Sequence, residues 1–179
     1  MKSNIAKKLL LGIILISSVT YANNPIKKDS IKSNECLVVI GIALDEKNEP
    51  IDGVNIKLYK ENEETVWAEG TIVVYHDHNF KFVLDANEYY TIEISKPGYV
   101  KRLVSISTKL PSNVSIRPLF KYEFDIVLFK DREGVDDYYL DFPVALISYH
   151  AKTAIFDNNN KYTKHIKRKI KESLQVAKF

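Results

Sequence analysis

Two histidines separated by one residue are the first side chains in this sequence that could do chemistry together. His76 and His78 would point to the same side of a strand, because side chains on one face recur at every second residue. A zinc site needs three or four ligands, and the other histidines, His150 and His165, are distant in sequence. We therefore expect a polar hairpin turn at His76 and His78, with metal binding as the alternative, and no cofactor.

Motifs for hydrolysis are missing from the sequence. It contains no His-x-x-Glu, His-Glu-x-x-His or Gly-x-Ser-x-Gly motif and no glycine-rich phosphate loop. The single cysteine, Cys36, begins an apolar run typical of a strand, so we expect a buried thiol rather than a nucleophile. These absences predict that the chain has no catalytic residues and is not an enzyme. A metal-dependent hydrolase is the least favoured function.

The C-terminal segment combines an apolar stripe with a strong positive charge. Residues 161–179 contain seven basic residues and one acidic residue, a net charge of +6. Four apolar residues recur there at every fourth position, the spacing of one helical face. They are Tyr162, Ile166, Ile170 and Leu174. The pattern predicts an amphipathic helix from about residue 161 to residue 177, with residues 157–160 as its capping loop.

Two roles are open for this helix. Its apolar stripe could cover a core while its lysines face water, or its basic face could bind an acidic partner. An acidic partner includes an acidic part of the same chain, because residues 23–160 carry a net charge of −6. The predicted contacts for any partner are Lys164, Lys167, Arg168 and Lys171. Peripheral contact with acidic lipid headgroups is a further alternative.

The N-terminal residues have the organisation of a secretory signal peptide. Lys2, Lys7 and Lys8 precede an apolar run over residues 9–16. Thr20 and Ala22 then place small residues at the −3 and −1 positions of a cleavage site after Ala22. The apolar run is well short of the roughly 20 residues needed to span a bilayer, so a retained anchor is the weaker alternative. We expect secretion across the inner membrane to the periplasm or cell surface, no transmembrane span in the mature chain, and no nucleic-acid partner.

Alternating apolar residues dominate the chain after a polar leader at residues 23–34. The run at residues 36–44 is apolar at nearly every position, which predicts a strand covered on both faces. Later segments alternate with a period of two, and turn residues separate them. These patterns predict an antiparallel β-sandwich of about seven strands at residues 35–130, and a C-terminal extension at 131–179. The predicted core contains Val54, Ile56, Phe82, Ile92, Ile94 and Phe124.

The segment from Val38 to Thr108 resembles a known module. Its strand and turn residues resemble those of the carboxypeptidase-regulatory-like domain of bacterial envelope proteins. The matching positions are Pro50, Ile51, Gly53, Val54, Phe80, Phe82, Leu84, Tyr90, Ile92, Ile94, Gly98 and Tyr99. The resemblance implies a transthyretin-like sandwich. It implies little about chemistry, because such modules accompany catalytic or transport domains without being catalytic.

Taken together, these features favour a secreted, non-enzymatic module of the cell envelope that binds a protein or polysaccharide partner. The alternative is an accessory or regulatory subunit of an envelope enzyme or transporter. The two differ in whether the partner is structural or catalytic.

Overall fold

The computed structural model describes residues 34–61, 63–64, 72–76, 78–131 and 139–176. The predicted signal peptide and the predicted leader up to residue 33 lie outside the described residues. All described residues belong to one compact unit. Its elements are β1 (Glu35–Leu44), β2 (Asn55–Lys60), β3 (Glu63–Glu64), β4 (Ile72–His76), β5 (Asn79–Asp85), β6 (Tyr89–Ser95), β7 (Arg102–Ser107), β8 (Phe120–Val127), β9 (Ala145–His150), β10 (Ile155–Asn158) and α1 (Asn160–Val176).

The strands form two sheets. One has four strands in the order β4-β5-β1-β8, and the other has six strands in the order β10-β9-β7-β6-β2-β3. Apolar residues of both sheets belong to one hydrophobic cluster, as in a β-sandwich. The predicted mainly β fold with a C-terminal helix is therefore confirmed.

Two strand pairs differ from the predicted antiparallel arrangement. β1 pairs with β8 in parallel, and β7 pairs with β9 in parallel, so both sheets are mixed. Each parallel pair joins strands that are separated in sequence by other strands, since parallel neighbours need a long crossover connection. The described residues also form ten strands rather than about seven. β9 and β10 come from the segment predicted as an extension, and they lengthen the six-stranded sheet.

Strand β1 lies between β5 and β8, and its two faces are buried to different degrees. Leu37, Val39 and Ala43 are buried on the core side, whereas Val38 and Ile40 on the other side are half-buried. The outer face of this strand is therefore covered less completely than predicted. A central strand can be apolar on both sides although only one side packs on the opposite sheet.

Three of the six predicted core residues are fully buried: Phe82, Ile92 and Ile94. Val54, Ile56 and Phe124 are only half-buried, although they pack against the core. Phe124 lies on β8, the last strand of the four-stranded sheet, which has a neighbouring strand on one side only. Val54 precedes β2 and Ile56 is near its start, whereas the short outer strand β3 pairs only with Tyr59 and Lys60 at the other end of β2. The alternating pattern identified the inward face correctly but not the depth of burial.

Helix α1 closes part of the core. Asn159 caps it, since its Oδ1 accepts a hydrogen bond from the Tyr162 backbone amide at 3.1 Å. Ile166 and Ile170 are buried in the common core cluster. The Tyr162 hydroxyl donates to the Pro143 carbonyl at 2.8 Å, just before β9. The side chain of the predicted Leu174 lies outside the described residues. Within the part of the chain that the structure describes, no helix is long and apolar enough to cross a membrane.

Candidate functional site

The basic face of α1 is the candidate site, and its four predicted contact residues are all exposed: Lys164, Lys167, Arg168 and Lys171. They alternate along the helix with the buried Ile166 and Ile170, so the two kinds of residue occupy opposite sides. The helix packs on β9 and is capped at its start. These contacts fix the position of the backbone that carries the four cations.

Neighbouring turns of the helix bring the charges into a row. Lys164, Arg168 and Lys171 are four and three residues apart, the spacing of neighbours on one helical side. At a rise of about 1.5 Å per residue, the row extends over about 10 Å. An acidic surface or chain of that length can therefore meet several cations at once.

One acidic residue on the helix neutralises part of this charge. Glu172 lies 3.7 Å from Arg168 Nε and 3.1 Å from Lys169 Nζ. Among the described residues, Lys164, Lys167 and Lys171 have no ion pair with a carboxylate. Among the described residues, no carboxylate of the acidic segment 23–160 therefore pairs with these three lysines.

The helix thus covers the core and exposes its cations at the same time. Its apolar side is occupied by contacts within the protein, because Ile166 and Ile170 are both nearly inaccessible. A helix that binds a bilayer must instead place its apolar side among the lipids. In the described fold, Ile166 and Ile170 are therefore not free to enter a bilayer.

The two histidines proposed as metal ligands lie at the β4–β5 turn. His78 Nδ1 is 2.5 Å from Asp52 Oδ1, and Lys96 Nζ donates to the Asp52 carbonyl at the same distance. The side chain of His76 lies outside the described residues. His150 ends β9 and His165 is on α1, and both are exposed. Within the described ranges, no three His, Cys, Asp or Glu side chains are grouped to hold a metal ion.

Cys36 is buried as predicted, with 0% of its surface exposed. Burial raises the pKa of its thiol to about 11, and the nearby Asp85 carboxylate adds to the rise. The reactive thiolate is therefore scarce at neutral pH.

One buried residue, Arg102, was not predicted from the sequence. Arg102 begins β7 and is 4% exposed, and its Nε and Nη1 atoms have no hydrogen-bond partner among the described residues. Its guanidinium lies 5.0 Å from the centre of the Phe129 ring. The available signal was the alternation of Arg102, Val104 and Ile106, which places the arginine on the same face as two core residues.

No family model matches this sequence, and neither does any curated protein. The solved structures that are similar to parts of the fold include two enzymes and the C-terminal domain of an usher. A 3-chlorocatechol 1,2-dioxygenase from Rhodococcus opacus 1CP is 12% identical, with a TM-score of 0.37 over 57% of this chain and 62% of the dioxygenase. Phospholipase PlaB from Legionella pneumophila is 13% identical, with a TM-score of 0.36 over 57% of this chain and 27% of the phospholipase. The Caf1A usher C-terminal domain is 10% identical, with a TM-score of 0.29 over 53% of this chain and 99% of that domain.

These comparisons contradict the prediction that the chain is not an enzyme. Catechol dioxygenases recur among the similar structures, so a non-enzymatic role does not follow from a sandwich of this kind. At these identities and TM-scores the comparisons assign no reaction to this chain. They support a β-sandwich-like fold and do not support a carboxypeptidase-regulatory-like or transthyretin-like family.

Proposed function

We propose that this chain is a secreted binding module of the bacterial cell envelope, and that the basic face of α1 contacts an acidic protein or polysaccharide. Secretion rests on the N-terminal pattern of Lys2, Lys7 and Lys8 before an apolar run. Affiliation with carboxypeptidase-regulatory-like modules is part of the proposal and rests on strand and turn residues such as Pro50, Gly53 and Tyr99.

One observation carries the proposal. Lys164, Lys167 and Lys171 are exposed on a helix whose other side is buried, and none has an ion pair among the described residues. Aligned surface cations attract polyanions and acidic surfaces over several ångströms. Exposed charge interactions weaken as salt shortens the screening length, which is about 8 Å at physiological ionic strength.

The test combines salt with charge reversal. Mature protein is immobilised and exposed to envelope extract, to polygalacturonate as a carboxylated polysaccharide, and to vesicles of anionic phospholipid. Binding to an acidic protein or to polygalacturonate should be lost in the Lys164→Glu, Lys167→Glu double variant and in high salt. Lys152→Glu is the matched control, because Lys152 is an exposed lysine in the β9–β10 turn, and it should bind like the wild type.

Each outcome of this binding test has a defined meaning. Binding that survives the double charge reversal would refute the role of the basic face. Binding confined to anionic vesicles would replace the proposed partner with a membrane surface. If the recovered protein is catalytic or a transporter component, the chain is an accessory subunit rather than a structural binding module.

A further inference from the structure

The outer face of the four-stranded sheet carries an apolar stripe. Val38, Ile40 and Ile42 alternate along β1 with core residues such as Val39, so they point away from the opposite sheet. All three are half-buried. Among the described residues, none of them belongs to the common core cluster or packs against it. The stripe therefore remains partly accessible to solvent, outside the core of the sandwich.

Opposite charges lie on the two sides of this stripe. In the strand register, Ile40 is paired with Lys81 on β5 and with Glu123 on β8. Both charged residues alternate with residues that face the core, so both lie on the outer face. Glu123 pairs with Lys121 on its own strand at 2.5 Å, whereas Lys81 has no ion pair with a described carboxylate. One row across the sheet therefore has a cation, an isoleucine and an anion in that order.

This row becomes self-complementary when two copies of the face are stacked about a two-fold axis parallel to β1. Rotation about such an axis keeps the position along the strand and exchanges the β5 side with the β8 side. Ile40 of one copy then meets Ile40 of the other, and Lys81 of each copy faces Glu123 of the other. A two-fold axis across the strands would instead place Lys81 on Lys81 and Glu123 on Glu123. Charge complementarity therefore selects the axis parallel to β1.

The two adjacent rows fit the same arrangement. One contains Val83 on β5 and Lys121 on β8, and the other contains Asn79 and Asp125. The same axis places Val83 opposite Lys121, where the aliphatic part of the lysine can cover the valine. It places Asn79 opposite Asp125. Like charges therefore do not meet in any of the three rows.

We propose that this outer face is the interface of a homodimer, in which the stripe of one copy packs on the stripe of a second copy. Stacked sheets lie about 10 Å apart, with their strands within about 30° of each other, a distance that facing lysine and glutamate side chains can span. An interface between two copies of one chain is isologous, so each charge pair occurs twice. The interface is separate from the basic face of α1, because α1 packs on β9 of the six-stranded sheet.

The size of the face predicts a weak dimer. Strand β5 has 7 residues, so β5, β1 and β8 together present an area of about 14 Å by about 23 Å, roughly 300 Å². Stable interfaces bury about 800 Å² of each partner, and smaller ones belong mostly to transient complexes. We therefore expect dimerisation that depends on concentration, with a dissociation constant between about 10 μM and about 1 mM.

Sedimentation velocity of the mature protein over that range, from about 10 μM to about 1 mM, measures the association. The wild type should change from monomer to dimer. Ile40→Lys places two cations at the axis and should stay monomeric. Ile155→Lys is the matched control, because Ile155 is an exposed isoleucine on β10 of the other sheet, and it should dimerise like the wild type. A wild type that stays monomeric throughout would overturn the proposal, and so would an Ile40→Lys variant that dimerises normally.

The charged row gives a second test that leaves the apolar stripe intact. Lys81→Glu alone, or Glu123→Lys alone, puts like charges opposite each other twice in every dimer, and each should raise the dissociation constant about tenfold. An equal mixture of the two variants should restore association, because every facing pair between the two different chains is again attractive. A mixture that associates no more tightly than either variant alone would overturn the arrangement.

Discussion

The rings of Phe80 and Phe124 meet across Gly41, with their centroids 5.7 Å apart and their planes at 69°. Phe80 on β5 and Phe124 on β8 are both register partners of Gly41 on β1. The Phe80 ring occupies the space that a β-carbon at residue 41 would need. Glycine therefore allows the aromatic ring to close over the middle of the four-stranded sheet.

Adding one methyl group at this glycine should disturb the sheet. We expect Gly41→Ala to lower the free energy of unfolding by about 1–3 kcal/mol, because the new β-carbon would overlap with the Phe80 ring. Urea denaturation measures the change. In a Phe80→Leu background the same substitution should cost less, since the smaller side chain leaves room. An equal cost in both backgrounds would show that the ring is not the obstacle.

Two phenylalanines at different depths provide a test of the core. Phe82 is fully buried, and Phe82→Ala should lower the free energy of unfolding by about 3–5 kcal/mol. Phe124 on the outer strand β8 is half-buried, so Phe124→Ala should cost clearly less. Chemical denaturation of both variants gives the comparison. A cost below about 1 kcal/mol for Phe82→Ala would place that ring at the surface.

The two sides of α1 should respond differently to mutation. Ile166→Ala and Ile170→Ala should each lower the free energy of unfolding by about 2–5 kcal/mol, because both side chains are buried in the common core. Lys164→Glu and Lys167→Glu should change it by no more than about 0.5 kcal/mol, since both lysines are exposed. Thermal and urea unfolding measure both pairs. The reverse order would mean that the helix does not cover the core.

The raised pKa of the Cys36 thiol should make the protein less stable in alkaline solution. Its pKa is raised from 9.0 to about 11 in the folded protein, so between these values the unfolded chain loses the thiol proton first. The unfolded state then binds fewer protons, and the free energy of unfolding falls as the pH rises. At pH values above the folded pKa, this loss in the free energy of unfolding reaches about 3 kcal/mol.

The variant Cys36→Ala isolates this contribution from other groups that titrate at high pH. Its free energy of unfolding should fall less steeply than that of the wild type between about pH 8 and pH 11. Equal slopes for the two proteins would show that the folded thiol titrates normally. A thiol reagent should likewise modify Cys36 only after the chain unfolds, because the side chain is inaccessible in the folded state.

Local patterns in the sequence determined the type and position of the main elements. The alternation at Phe80, Phe82 and Leu84 predicted a strand with one buried face, and all three residues are buried on β5. The four-residue spacing of Ile166 and Ile170 predicted the helix and its buried side. Such patterns can be recognised in sequence because strand and helix periodicity relate residues that are close along the chain.

The tertiary structure alone decided which distant segments meet. The parallel pairing of β1 with β8, the approach of His78 to Asp52, and the burial of Arg102 beside Phe129 join residues that are far apart in sequence. No local period encodes such pairings, because they depend on the free energy of the whole core. The outer position of β8 likewise explains why Phe124 is only half-buried, although its alternation pattern is that of a core residue.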